Sequence, residues 1–127
     1  MPLLLDTHTL LWFYSGDNQL PNHIKQEIEN TNNQCFLSIA SVWEITIKLG
    51  TGKLELDSSL NELFQFITRN QIEILPIEFN HLLRLEKLPN HHKDPFDRII
   101  IAQSLEENLP IYTKDSFFQD YGVTVRW

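Results

Sequence analysis

The chain has 127 residues, with 10 Lys+Arg against 17 Asp+Glu for a formal net charge of −7, and 42% of its residues are hydrophobic and 11% aromatic. That length is one ordinary domain able to bury a core without disulfides or a structural metal, and the apolar content excludes a disordered, collagen-like or low-complexity chain. The acidic balance excludes attraction to nucleic acid or to anionic membranes by bulk electrostatics, and the single Cys35 excludes an internal disulfide or a cysteine zinc cluster.

Met1-Pro2 followed by three leucines before Asp6 is no signal peptide, and no apolar run approaches the roughly 18 residues of a membrane span. Together with the lone cysteine, this predicts a soluble, cytoplasmic protein with no membrane partner, built as one domain over 1–127.

In chain order, Leu3-Leu4-Leu5 reads as a short strand apolar on both faces, the kind buried inside a parallel sheet, with Asp6 at its carboxyl end. Ile24 and Ile28, four apart with charges between them, predict an amphipathic helix from Pro21 to Thr31, opened by the proline. Asn30 to Gln34 is a polar turn, and Cys35-Phe36-Leu37 a second strand in which the cysteine is a small buried hydrophobe.

Ser38 caps a helix running through Ile39, Val42, Trp43, Ile45 and Leu49 to Gly50, with a polar stripe of Ser41, Glu44 and Lys48. Ser59-x-x-Glu62 is a capping-box spacing ahead of a helix that reaches Asn70. A third strand is expected over Ile72 to Ile77 and a helix over Phe79 to Leu88, ended by Pro89-Asn90. The helix after Asp94-Pro95 carries Ile99-Ile100-Ile101-Ala102, too apolar for a surface helix. Strands at Pro110 to Thr113 and Val123 to Val125 flank a turn holding Phe117 and Phe118. Strands alternating with helices imply an α/β layer structure around a mostly parallel sheet.

Ligands of such sheets bind beyond the carboxyl ends of the strands, and the reactive residues that fall there are acidic. Asp6 ends the first strand, Glu44 lies in the helix after the second, Asp97 opens the buried helix with Asp94 three residues earlier, and Asp115 follows the strand ending at Thr113. Each has a plainer reading. Asp6 is equally placed to cap a helix over Thr7 to Phe13, Glu44 to pair with Lys48, and Asp115 to sit in a turn. Asp94-Pro95-x-Asp97 is what helix-terminus chemistry alone selects, so Asp94 reads first as a cap.

Gathered at one sheet edge, however, these carboxylates would repel one another unless divalent cations neutralised them, and oxygen-only ligands select Mg²⁺ or Mn²⁺ over zinc. One or two such ions activating water against a phosphodiester is nuclease chemistry. Competing constellations are absent. There is no Gly-rich phosphate loop and no Gly-x-Ser-x-Gly elbow, and His91-His92 lacks a further ligand at zinc spacing and reads as a solvated loop. Asp6-Thr7-His8-Thr9 lacks the second aspartate of haloacid-dehalogenase-type phosphatases.

Four blocks in order, Leu3 to Trp12, Ser38 to Ile45, His92 to Gln103 and Tyr112 to Asp115, closely resemble PIN-domain proteins, above all the VapC-type toxins of bacterial toxin–antitoxin pairs. The resemblance implies a three-layer α/β/α sandwich and a Mg²⁺- or Mn²⁺-dependent endoribonuclease. It also implies a homodimer restrained by a small cognate antitoxin.

By position it implies Asp6, Glu44, Asp97 and Asp115 as catalytic and metal-holding acids, with Asp94 an additional candidate. Thr7, Ser38 and Thr113 are candidate outer hydrogen-bonding partners, and Lys48, Lys93, Arg98 and Lys114 candidate contacts to RNA phosphates. The apolar helices around Leu60 to Ile67 and Leu82 to Leu88 are candidate dimer faces. A housekeeping RNA-processing nuclease and a catalytically silent interaction or RNA-binding module are the alternative readings. Setting five site acids aside from the 17 leaves 12 against 10 bases, so the acidic excess is in good part the site itself.

Overall fold

The computed structural model describes residues 1–127. Five strands, β1 (Pro2–Leu5), β2 (Gln34–Ser38), β3 (Glu73–Leu75), β4 (Ile111–Tyr112) and β5 (Val125–Arg126), pair in the order β3-β2-β1-β4-β5, every pair parallel. Because Leu3, Leu4 and Leu5 alternate faces, the central strand feeds two cores. Leu3 and Leu5 join Leu10, Ile24, Leu37, Ile45, Leu63 and Ile67 on one side, and Leu4 joins Leu75, Ile100, Ile101, Ile111 and Phe118 on the other. Two cores on one sheet make the chain a three-layer α/β/α sandwich with β1 buried at its centre, as the leucine run predicts.

The helices are α1 (Thr7–Ser15), α2 (Asn22–Glu29), α3 (Ile39–Gly50), α4 (Leu60–Arg69), α5 (Phe79–Glu86) and α6 (Pro95–Glu107), followed by a 3-10 helix at Ser116–Tyr121. Most begin where sequence chemistry places them. Ser38 accepts from the Ala40 amide, Ser59 from Glu62, and Asp94 from Phe96 and Asp97. Gly16, at φ 68, closes α1 in the left-handed conformation that costs glycine nothing. Ile99 to Ala102 are all buried, which explains the missing polar face of α6.

Three expectations shift. Pro21 stands at the N-cap of α2, one residue before its first turn. β3 is only three residues long, because Pro76 has no amide to continue the ladder. β5 sits at Val125–Arg126, two residues past Val123, because register with Ile111 and Tyr112 decides pairing at a sheet edge. No helix is long and apolar enough to cross a membrane. Burial pushes the Cys35 thiol up to about 11, so the thiolate is scarce near neutrality and the residue behaves as a hydrophobe.

Candidate active site

All five predicted acids lie at the carboxyl edge of the sheet or on helices starting there, and three are set by helix starts. Asp6 ends β1 and caps α1, its Oδ1 accepting from the Thr9 amide at 2.7 Å. Its Oδ2 accepts from the Thr113 hydroxyl at the end of β4. The two readings of Asp6, cap and site, are therefore both realised in one buried carboxylate. Burial pushes that carboxyl above its usual range, against the opposing pull of the Thr113 and Thr9 hydrogen bonds.

Glu44 is buried on α3 in the company of Ser41, so the stripe that looks like a solvated face turns inward, while Trp43 is 59% exposed. The Thr7 hydroxyl lies 2.8 Å from Glu44 Oε1 and 2.9 Å from the Ser41 hydroxyl. With one proton to give, Thr7 donates to the carboxylate and accepts from Ser41. Lys48 Nζ donates to Glu44 Oε2 at 2.7 Å. That bond, more than any other influence, raises the Lys48 pKa, with further support from the charges of Asp94 and Asp97.

Asp97, in the first turn of α6, is pushed up to about 6, first by burial and then by the neighbouring Asp94 carboxylate, with Glu44 adding to it. His92 Nε2 lies 3.0 Å from Asp97 Oδ2 and acts in the opposite sense. The sequence reading of His91-His92 as a solvated loop is thus corrected for His92. Its amide donates to the Tyr121 hydroxyl at 2.8 Å and its ring packs on Phe117, and these long-range contacts draw it in.

Asp115 is exposed, its amide donating to the Thr113 hydroxyl at 3.1 Å. It helps line a cavity of about 490 Å³ that also borders Asp6, His8, Trp12, Lys114 and Phe117. No three of Asp6, Glu44, Asp97 and Asp115 bring their oxygens within 4.8 Å of one another, whereas His92, Asp94 and Asp97 do.

Of the outer partners, Thr7 and Thr113 hold site acids, while the Ser38 hydroxyl serves the start of α3 instead. Of the cations, Lys48 is committed to Glu44, and Arg98 to the carbonyls of Pro89 and His92 and to the Tyr121 hydroxyl. Lys93 and Lys114 are exposed.

A second cluster, Glu78, His81 and Glu107, lies away from this edge. His81 Nδ1 accepts from the Glu78 amide at 2.9 Å, which puts its proton on Nε2, 2.8 Å from Glu107. Both nitrogens are spent, Nδ1 on capping the start of α5 and Nε2 on tying α5 to α6.

The donor set at the sheet edge fits a hard divalent cation. It is carboxylate oxygen almost throughout, two of its members are buried, and Asp97 resists ionisation partly because Asp94 and Glu44 are near. Asp94 permits a clean separation of cap from charge. Asp94→Asn keeps a good N-cap and should leave stability within about 0.5 kcal/mol, while Asp94→Ala should cost about 1 kcal/mol in urea denaturation. If Asp94→Asn destabilises as much as Asp94→Ala, the cap assignment fails.

A parallel sheet in the order β3-β2-β1-β4-β5, sandwiched by helices and edged with buried carboxylates, defines an α/β domain with an acid-lined cleft at the carboxyl ends of its strands. The PIN domain family profile matches residues 3–123, and the chain belongs to that family. No curated protein sequence matches it.

Among solved structures it resembles VapBC2 from Rickettsia felis bound to a promoter DNA fragment, at 15% identity and TM-score 0.74, over 99% of this chain and 98% of that one. It also resembles VapBC-1 from nontypeable Haemophilus influenzae, at 17% identity and TM-score 0.71, over 99% and 97%. A toxin–antitoxin complex from Klebsiella pneumoniae matches at 20% identity and TM-score 0.65, over 98% and 96%.

Proposed function

We propose that the chain is a single PIN domain over 1–127 that hydrolyses RNA phosphodiester bonds in the cytoplasm as a Mg²⁺- or Mn²⁺-dependent endoribonuclease, the toxin of a toxin–antitoxin pair. The observation that carries this reading is the set of carboxylates from three separate elements, Asp6 after β1, Glu44 on α3 and Asp97 on α6, two of them buried and two with raised pKa. Burial of charge is costly, and a chain that tolerates it at one edge is built to bind something cationic there. The likeness to structures whose titles describe VapBC and toxin–antitoxin complexes supports the toxin reading.

Asp6, Glu44 and Asp97 would hold the cation, helped by Asp115 and Asp94. Bound there, a divalent cation supplies a Lewis acid that lowers the pKa of water and offsets phosphate charge. The protein's own part is positioning. Thr113 and the Thr9 amide fix both oxygens of Asp6, and Thr7 fixes Glu44. The Asp97–His92 pair can hold a proton between carboxylate and imidazole. With Lys48 and Arg98 engaged, contact to RNA phosphates falls to Lys93 and Lys114.

A cognate antitoxin and a homodimer belong to the same proposal. Phe79, Leu82 and Leu83 on α5, 76%, 48% and 52% exposed, supply apolar surface for a second copy, a state that light scattering reads directly.

Calorimetric titration with Mn²⁺ should show binding that is lost in Glu44→Gln and Asp97→Asn, and cleavage of structured RNAs should stop in EDTA. Absence of Mn²⁺ binding by the unaltered protein would leave only an interaction module. Cleavage without growth arrest on expression would point to a housekeeping nuclease.

A further inference from the structure

We propose that the cavity beside Asp6 seats one unpaired RNA base against the face of Trp12, so that Trp12 is a binding and specificity determinant for the strand being cut. The inference rests on the nuclease reading but concerns how the strand is gripped, through an aromatic wall, Trp12 and Phe117, to which no role in holding the cation or activating water has been given.

The cavity, about 490 Å³, lies in the size range of small-ligand clefts and shares Asp6 with the acid cluster. Trp12 forms its aromatic wall, half-buried and braced by the rings of His8 at 5.8 Å and Trp127 at 5.9 Å between centroids. A braced indole open to solvent on one side loses little entropy on stacking. Phe117, itself packed on His92, lines the same space.

Charge decides which part of a nucleotide enters. Asp6 and Asp115 border the cavity and repel phosphate, while the exposed Asp115 carboxylate and the Gln19 amide oxygen can accept hydrogen bonds from base amino groups. The occupant is therefore a base, with its phosphate outside. Lys114 Nζ stands 5.9 Å from the Trp12 ring centre on an exposed side chain. An exposed cation–π contact is weaker than stacking of a base on an aromatic ring, so an arriving base displaces the ammonium. The freed ammonium then meets the adjacent phosphate. Unstacked bases on aromatic rings are the usual basis of single-strand RNA recognition.

Binding of a fluorescein-labelled 10-nucleotide single-stranded RNA, followed by anisotropy in EDTA, tests this without any cleavage. Trp12→Leu should weaken binding about tenfold and Trp12→Phe less than threefold, within the range of single base–aromatic stacks. An abasic site walked along the RNA should weaken binding to the unaltered protein at one position and add no further loss in Trp12→Leu. Equal losses in Trp12→Phe and Trp12→Leu, or an abasic effect that persists in Trp12→Leu, overturns the proposal. Because the readout is binding without metal, that failure leaves the nuclease reading standing. Loss of metal-dependent cleavage as a property of the protein would leave the binding data intact.

Discussion

Asp6→Asn should lower divalent-cation-dependent RNA cleavage by about a thousandfold or more, beyond the 10- to 100-fold typical of an outer hydrogen-bonding partner such as Thr113. The fold should survive. Asparagine is as good an N-cap as aspartate, so its side-chain oxygen still takes the Thr9 amide, and its amide group can donate to the Thr113 hydroxyl oxygen. Removing a buried charge whose pKa is already raised offsets any loss in that hydrogen bond, and stability should stay within about 1 kcal/mol. Initial cleavage rates with Mg²⁺, alongside urea denaturation of both proteins, check this. Unchanged cleavage would remove Asp6 from the site, and unfolding would mean that the charge itself is structural.

Asp97→Asn should do two opposite things, abolishing cleavage and stabilising the metal-free protein. In the unfolded chain Asp97 ionises near 3.8, whereas in the folded protein it holds its proton to about 6. Below the lower value both states are protonated and the group is neutral in its effect. As pH rises through the interval the unfolded state ionises first, so stability falls, and above about 6 the full penalty is present. The shift corresponds to about 3 kcal/mol, part of which solvent screens because the Asp97 side chain is 25% exposed.

Asparagine carries no such penalty and still accepts from His92 Nε2, so the variant should gain about 1–2 kcal/mol at pH 7.5 in EDTA and nothing at pH 3.5. Urea titrations at the two pH values check the sign. A loss of stability at pH 7.5 would mean that His92 holds the ionised carboxylate more firmly than burial and Asp94 oppose it.

Local chemistry explains which parts of this molecule could be read from its residues. The Leu3-Leu4-Leu5 run, the caps at Ser38, Ser59 and Asp94, and the buried character of Ile99 to Ala102 are set by neighbours in the chain. What escapes is set by partners far along it. The inward turn of Ser41 and Glu44 follows from Thr7, more than 30 residues away, and hydropathy alone favours the opposite face of α3. His92 enters the site because Tyr121 and Phe117 hold it, and no spacing around His91-His92 announces that. The placement of β5 depends on its register with β4.

Two of the site acids, Asp6 and Asp94, are also helix caps, a role that asparagine fills equally well. One base change turns an aspartate codon into an asparagine codon. Any selection against the activity therefore has a short mutational route to chains that remain folded and abundant but do not cut. Survivors should be enriched at Asp6 in full-length missense alleles as well as in truncations, and such proteins would keep their binding surfaces.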